Sequence, residues 1–154
     1  MRTRTYNRND KESIIRLVKD GLAEFGFDYL TETSESDLVD IEEEYLYSNG
    51  TFLVLENENG LLGTGGIKEI GEGIYKIRKM YVHKSQRGKG YGKQILTQLI
   101  DFAIWKKAKK VVLETSVRMT SAIALYKNFG FETVNEKPVS SRCDLTFTKD
   151  INHG

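Results

Sequence analysis

A short glycine-rich segment carries the clearest chemical signal in this sequence. Residues 86–92 read Gln-Arg-Gly-Lys-Gly-Tyr-Gly, between a strand-like run that ends at His83 and an amphipathic helix predicted to begin near Lys93. Glycine lets the backbone turn sharply, and the free amides and dipole at a helix N-terminus attract anions. Arg87 and Lys89 add positive charge at the same place. The segment therefore predicts a site for a phosphate-bearing ligand.

Two common phosphate-binding motifs do not match this segment. A nucleoside-triphosphate loop that ended at Lys93 would have Arg87 in place of its first glycine and Gln94 in place of its magnesium-binding hydroxyl. A dinucleotide fingerprint that began at Gly88 or Gly90 would lack its last glycine. Both ligand classes are therefore excluded on motif grounds.

Two separate motifs carry a family resemblance instead. The segment 87–92 resembles the Arg/Gln-x-x-Gly-x-Gly/Ala signature of the GNAT (GCN5-related N-acetyltransferase) superfamily, and residues 80–82 before it resemble that superfamily's central strand. Residues 124–131, Ala-Leu-Tyr-Lys-Asn-Phe-Gly-Phe, resemble its Leu-Tyr-x-x-x-Gly-Phe element. Two motifs in the right order are far more specific than one glycine-rich turn. The resemblance implies an acetyl-CoA-dependent N-acetyltransferase.

The resemblance also implies where acetyl-CoA would bind. Superfamily members open the sheet beside the central strand, so the backbone of Met80, Tyr81 and Val82 would pair with the pantetheine arm. A backbone amide near Val82 would polarise the thioester carbonyl while an amine attacks it. The turn that would hold the pyrophosphate comprises Arg87, Gly88, Lys89, Gly90, Tyr91, Gly92 and Lys93.

Tyr126, in the second motif, is the residue that the resemblance assigns to proton donation. It occupies the superfamily's general-acid position, near the thioester sulfur, where it would protonate the departing thiolate. The competing interpretation is that Tyr126 only packs in the core with Ile123 and Phe129 at helical spacing. The paired motifs favour the acid role.

The base that would accept the proton of the amine is less clear. Lys76 stands where many relatives carry a glutamate in the central strand. Glu114 on the following strand is our first candidate, and Glu69, Glu72 or ordered water are the alternatives. Met119 is a second departure, because relatives often have an asparagine there that contacts the pantetheine.

Cysteine and histidine are too few for most other chemistries. Cys143 is the only cysteine, so an internal disulfide is excluded and a reducing, cytoplasmic compartment is expected. Its alternating sequence context favours a small buried side chain over a nucleophile. His83 is expected in an exposed turn, and the only other histidine is His153. We therefore expect neither a metal site nor a Ser-His-Asp triad.

The net charge and the apolar runs of the sequence limit which binding partners are expected. The 154 residues carry a formal net charge of +1, which argues against a general nucleic-acid or membrane-surface binder. No apolar run approaches the roughly 20 residues of a membrane span. The expected partners are acetyl-CoA and an amine-bearing small molecule or peptide, with the protein a monomer or a homodimer. Acidic and aromatic residues between Glu24 and Tyr45 would suit a cationic amine, although a solvated helix face and ordinary core aromatics are the favoured interpretation.

The order of elements predicts one mixed α/β domain over residues 1–154, with a mainly antiparallel sheet split at its central strands and about four helices. The predicted strands cover 2–6, 51–56, 62–68, a run ending at His83, 111–115 and 143–148. The predicted helices follow Asn9 or Asp10, span the region around 38–45, begin near Lys93, and run from about 120 to 129.

Two rival functions remain open on the sequence. The same fold could use another acyl-CoA donor, or it could be a CoA-binding sensor that has lost its chemistry. The missing glutamate at position 76 and asparagine at position 119 favour the sensor, and the retained Tyr126 opposes it.

Overall fold

The computed structural model describes residues 1–151, which fold around one seven-stranded sheet. His153, one of the two histidines, lies outside these described residues. The strands are β1 (Arg2–Thr5), β2 (Thr51–Asn57), β3 (Gly60–Gly71), β4 (Ile74–Val82), β5 (Lys110–Thr115), β6 (Glu132–Val134) and β7 (Leu145–Asp150). The helices are α1 (Lys11–Glu24), α2 (Tyr91–Trp105) and α3 (Thr120–Asn128). The spatial order of the strands is β1-β2-β3-β4-β5-β7-β6.

The sheet opens between its two central strands. β4 and β5 are the parallel neighbours, and they pair only where residues 74–76 lie beside residues 110–112. β4 then continues to Val82 and β5 to Thr115 without pairing to each other. α2 makes the crossover between them, as a parallel connection requires. The mixed fold and the predicted split at the central strands are confirmed.

A bulge in β4 interrupts its pairing with β3. Thr64 faces Tyr81 and Gly66 faces Arg78, so one residue of β3 opposes two of β4. Lys79, in the bulge, has a positive φ of 59°, which is unusual for a residue with a side chain. The hydroxyl of Thr64 donates to the Lys79 carbonyl at 2.7 Å and helps to hold this conformation.

Two hydrophobic clusters support the sheet. One includes Ile95, Leu96 and Leu99 of α2, packed with the core residues of β3, β4 and β5. The other includes Ile14 and Val18 of α1, packed against the β2 side. Their apolar residues recur every three or four positions, so each helix presents one continuous apolar stripe to the sheet.

Several element boundaries differ from the sequence prediction. The predicted second helix consists of two short helical turns, Ser36–Leu38 and Glu42–Leu46. The last strand begins at Leu145, so Cys143 lies in the preceding loop and not in an alternating strand as predicted. β6 was not predicted, because three residues give too short a pattern. α2 begins at Tyr91, slightly earlier than predicted.

None of the helices between residues 1 and 151 combines the length and apolar character that crossing a bilayer requires.

Candidate active site

The opening between β4 and β5 contains a cavity of about 550 Å³. Its walls are the β4 residues 76–81, the β5 residues 113–115, the segment 33–36, and the loop 139–143 that precedes β7. Ser116, Met119 and Tyr126 complete the lining from the α3 side. The cavity therefore lies where the unpaired edges of the two central strands face each other.

The glycine-rich turn joins β4 to α2 beside this cavity. Gly88 and Gly90 have φ angles of 76° and 86°, in the left-handed region that L side chains rarely adopt. Apart from each glycine itself and its two chain neighbours, no atom of residues 1–151 lies within 4 Å of where its Cβ would stand. α2 begins directly after Gly90, so its first free amides face this open turn. The geometry suits an anion such as a pyrophosphate.

Two of the three basic side chains of the turn, Arg87 and Lys89, already have partners within the protein. Arg87 donates from Nε to the Val82 carbonyl at 3.1 Å, and its guanidinium pairs with Glu24 of α1 at 2.6 Å. This hydrogen bond from Arg87 lowers the pKa of Glu24. Lys89 contacts the Gln86 side chain at 3.3 Å, whereas Lys93 is exposed in the first turn of α2. Arg87 thus connects the turn to α1.

The last residue of β4, Val82, follows the cavity-lining Tyr81 and directs its backbone amide away from β3. The amide of His83 donates to the Leu62 carbonyl on the β3 side at 2.8 Å. Successive amides of a strand point to opposite edges, so the amide of Val82 points away from β3. The carbonyl of Val82 lies on the same side, where it accepts a hydrogen bond from Arg87. This amide is the one that the sequence prediction places near the thioester.

Tyr126 is buried between α3 and the sheet and reaches the cavity. Its ring packs edge-on against Phe131 and in a tilted arrangement against Phe147, at centroid distances of 6.0 and 6.1 Å. Its hydroxyl forms no hydrogen bond with any residue from 1 to 151. Burial raises the pKa of this phenol well above its ordinary value, so it stays protonated at neutral pH. The side chain both packs in the core and supplies a protonated donor.

Glu114 lines the cavity, but both of its carboxylate oxygens are engaged. Oε2 accepts from the Val139 amide at 2.8 Å and pairs with Lys76 at 3.2 Å, and Oε1 accepts from the Ser140 amide at 3.1 Å. Burial raises the pKa of this carboxyl, but the two amides and Lys76 outweigh it, so the pKa lies below its ordinary value. Glu114 therefore holds the loop before β7 against β5.

The other candidate carboxylates are remote from the cavity. Glu69 accepts from Asn49 and from the Gly73 amide near the turn that precedes β4, and Glu72 is exposed in that turn. Neither residue lines the cavity. His83 lies in the turn after β4, as predicted, and its Nδ1 accepts from the Ser85 amide at 3.1 Å.

Cys143 and Met119 lie in the cavity wall. The thiol of Cys143 has its pKa raised by burial, which opposes the thiolate form that a nucleophile needs. Met119 precedes α3 and accepts weakly from the Thr115 hydroxyl at 3.7 Å. It offers no N–H donor to a ligand.

A group of buried charges in the wall was missed by reasoning from the sequence. The sequence predicts Glu35 and Asp37 either on a solvated face or in an acidic mouth, but their exposed fractions are 0% and 1%. They pair with Arg78, Lys79 and Arg142. The sequence holds no local signal for these pairs, because each joins residues that are far apart in the chain.

An opened mixed sheet with a glycine turn before the crossover helix is the architecture of the GNAT acetyltransferases. The Acetyltransferase (GNAT) family model matches residues 16–131. The probable N-acetyltransferase family 8 member 5 of Mus musculus is 34% identical over 131 residues, which cover 82% of this chain and 58% of the relative. This chain therefore spans less than two thirds of that relative's length.

Solved structures show the same fold. An acetyltransferase of the GNAT family from Staphylococcus aureus Mu50 superposes with a TM-score of 0.91 at 24% identity, covering 98% of this chain and 99% of the other. The protein YncA of Salmonella typhimurium, solved with its cofactor acetyl-CoA, superposes with a TM-score of 0.78 at 19% identity, covering 99% and 95%. The chain belongs to the GNAT acetyltransferase family.

Proposed function

We propose that this protein transfers an acetyl group directly from acetyl-CoA to a primary amine of a small molecule or a peptide. The observation that carries the proposal is the continuous path formed by the unpaired edge of β4, the glycine turn and the free N-terminus of α2, beside a cavity that contains Tyr126. This path offers backbone donors for an amide-rich arm and a separate site for its phosphates.

The donor binds along β4. The backbone of Met80, Tyr81 and Val82 pairs with the pantetheine arm, and the turn from Arg87 to Lys93 holds the pyrophosphate. Arg87 keeps the turn in place through Val82 and Glu24, while the exposed Lys93 adds charge at the helix start. The amide of Val82 is directed at the thioester carbonyl, where negative charge develops when the amine attacks.

Proton transfers complete the reaction. The amine forms its new N–C bond as the C–S bond breaks, the proton on nitrogen passes to Glu114 or to water, and Tyr126 protonates the departing thiolate of CoA. We assign this acid role to Tyr126 because its phenol is protonated, held by its ring contacts and free of hydrogen bonds within residues 1–151. Glu114 as the base stays a prediction, and its contacts favour a role in anchoring the loop 139–143.

Binding and turnover test the proposal separately. Calorimetry with acetyl-CoA and with free CoA measures the donor site, and release of free CoA thiol over a panel of amines measures transfer. Acetyl-CoA is expected to bind and to be consumed with at least one amine, and mass spectrometry should find that amine acetylated. Binding without turnover on the whole panel would favour the sensor function, and faster turnover with a longer acyl-CoA would reassign the donor.

A further inference from the structure

Five charged side chains form a cluster at the cavity wall. Glu35, Arg78, Lys79 and Arg142 line the cavity, and Asp37 pairs with Arg78 and Lys79. Lys79 enters the cluster from the β4 bulge, with Nζ 3.1 Å from Asp37 and 3.5 Å from Glu35. Arg142, from the loop before β7, pairs with both oxygens of Glu35 at 2.7 and 3.1 Å. The Tyr45 hydroxyl also donates to Asp37. The cluster thus joins the segment 33–36 to β4 and to the loop 139–143.

The charges of this cluster do not balance. Three cations face two carboxylates, which leaves one positive charge in excess. The remaining ion pair of the cavity wall, Lys76 with Glu114, sums to zero. Burial lowers the pKa of Lys79, and the nearby carboxylates offset only part of that effect. We count the side chain as a cation because its Nζ lies 3.1 Å from Asp37 and 3.5 Å from Glu35. A buried charge without a partner is costly, and an anionic ligand group would relieve that cost.

Arg78 is the cation with the most unused hydrogen-bonding capacity. It donates to the Ser34 carbonyl at 2.9 Å, and its contact with Asp37 is longer, at 3.8 Å. A guanidinium carries five N–H donors arranged in a planar fork that matches a carboxylate. The side chain lines the cavity and is 23% exposed, whereas that of Lys79 is 6% exposed. Arg78 can therefore receive another anion.

The position of Arg78 along β4 separates it from the phosphate site. It precedes residues 80–82, which we assign to the pantetheine arm, whereas the glycine turn follows them. The phosphates of the donor would lie beyond the C-terminal end of β4, whereas Arg78 lies in the middle of the strand. The anion that meets Arg78 must then belong to the acceptor.

We propose that the acceptor carries a carboxylate or another oxyanion besides its amine, and that Arg78 binds this group. This inference rests on the proposed function and narrows its substrate class from any primary amine to an amine with an anionic group, such as a free amino acid or an aminoalkyl phosphate. The acids between Glu24 and Tyr45 do not contradict it. Five of them pair with cations of the protein itself, namely Glu24, Glu35, Asp37, Glu42 and Glu44. The other four, Asp28, Glu32, Asp40 and Glu43, do not line the cavity.

Matched acceptors test the inference on the wild-type protein. The L-amino acids are compared with their α-carboxamides, and phosphoethanolamine with ethanolamine, by measuring kcat/KM for release of CoA thiol. We expect one anionic acceptor to exceed its uncharged partner by roughly 10- to 100-fold, the factor that a charge-assisted hydrogen bond supplies. The two pairs distinguish a carboxylate from a phosphate. Transfer to the uncharged partners alone, or equally to both members, would overturn the inference and leave the acetyltransferase function standing.

Substitutions of Arg78 then test whether this residue causes the preference for an anionic acceptor. Arg78→Gln should lower kcat/KM for the anionic acceptor roughly 10- to 100-fold, mainly through KM, and change that of the uncharged partner less than about threefold. Arg78→Lys, which keeps the charge without the fork, should recover part of the loss. Arg16→Gln is the matched control, because Arg16 is exposed on α1, outside the cavity.

Acetyl-CoA binding by each variant shows whether the site remains folded, and the wild-type comparison stands even if Arg78→Gln fails to fold. Equal losses for both members of a pair would overturn the role of Arg78. Failure of the wild-type protein to bind acetyl-CoA would overturn the proposed function and the inference with it.

Discussion

Tyr126 shows how one residue can serve both packing and chemistry. Replacing it by Phe keeps the ring that packs against Phe131 and Phe147 and removes only the hydroxyl. We expect Tyr126→Phe to fold normally and to lower kcat about 100-fold, the low end of what general acid catalysis contributes. Because the raised pKa keeps the phenol protonated, the wild-type rate should show no loss of this acid up to about pH 9.

The matched control for this variant is Tyr75→Phe. Tyr75 is also buried, but it lies in β4 outside the cavity lining, so its hydroxyl should not affect kcat. Steady-state kinetics across pH 6–9, with circular dichroism to verify folding, make the comparison. If Tyr126→Phe keeps the wild-type kcat and pH profile, Tyr126 is not the acid.

The environment of Glu114 favours a structural role over a role as the general base. A carboxylate whose pKa lies below the ordinary value is a weak base at pH 7. We expect Glu114→Gln to leave the shape of the pH–rate profile unchanged and to raise the acceptor KM a few-fold. Gln cannot accept from both the Val139 and Ser140 amides, so the free energy of unfolding should fall by about 1–3 kcal/mol.

Glu72→Gln is the control for Glu114→Gln, since Glu72 is an exposed carboxylate outside the cavity. Urea unfolding measures the stability change, and kcat as a function of pH measures the chemistry. A loss of kcat near 100-fold with disappearance of the acidic limb would restore Glu114 as the general base.

At the scale of elements, the glycine turn joins β4 to α2 in a conformation that side chains resist. A Cβ at Gly90 would meet no neighbour, but the φ of 86° costs an L residue about 1–2 kcal/mol. We therefore expect Gly90→Ala to lower the free energy of unfolding by about that amount. It should also weaken acetyl-CoA binding by about tenfold, because the relaxed turn no longer directs its amides at the phosphates.

Gly60→Ala separates these two effects. Gly60 is the first residue of β3, with a φ of 139° and open space around it, so its substitution introduces backbone strain without touching the proposed donor site. It should destabilise the fold and leave acetyl-CoA affinity unchanged in calorimetry. Unchanged affinity in Gly90→Ala as well would show that the turn does not bind the donor phosphates.

Local patterns explain which elements could be predicted. The turn, α2 and α1 are encoded by glycine spacing and by apolar residues at helical intervals, so the sequence places them to within a few residues. The bulge at Lys79 has no such pattern, because lysine is not a residue that favours positive φ. Contacts with Thr64, Glu35 and Asp37 hold it, and all three lie in other segments.

The site could be predicted only in part for the same reason. The order of β4, turn and helix identifies the donor side, since those residues are consecutive in the chain. The acceptor side depends on pairs such as Arg142 with Glu35, which are 107 residues apart. Two acidic residues in a polar loop are therefore expected on a solvated face or in a negative mouth, whereas folding surrounds them with cations.

On the scale of the whole molecule, an ion network fastens the first strand to the domain. Glu56 of β2 accepts from Arg2 and Arg4 of β1, and Arg4 also binds Asp10, which precedes α1. The hydrogen bonds from Arg4, the larger effect, and from Arg2 lower the pKa of Glu56 from 4.5 to about 2. Hydrogen bonding to Arg4 lowers the pKa of Asp10 as well.

The lowered pKa predicts how stability depends on pH. A carboxyl group that binds its proton less readily when folded stabilises the protein above the unfolded pKa, and that contribution is lost as pH falls through the folded pKa. The stabilisation from Glu56 should therefore be complete above about pH 5 and disappear towards pH 2. We expect Glu56→Gln to unfold at lower urea concentration than the wild type at pH 7, with the difference shrinking as pH approaches 2.

Urea titrations at pH 7, 5, 3 and 2 measure this difference, and Glu58→Gln is the matched control. Glu58 is exposed in the β2–β3 turn and forms no ion pair with any residue from 1 to 151, so its substitution should leave the transition in place at every pH. Because the network lies on the outer edge of the sheet, Glu56→Gln should also keep wild-type affinity for acetyl-CoA at pH 7. A constant difference between Glu56→Gln and the wild type across the whole pH range would mean that the charge of Glu56 does not stabilise the attachment of β1.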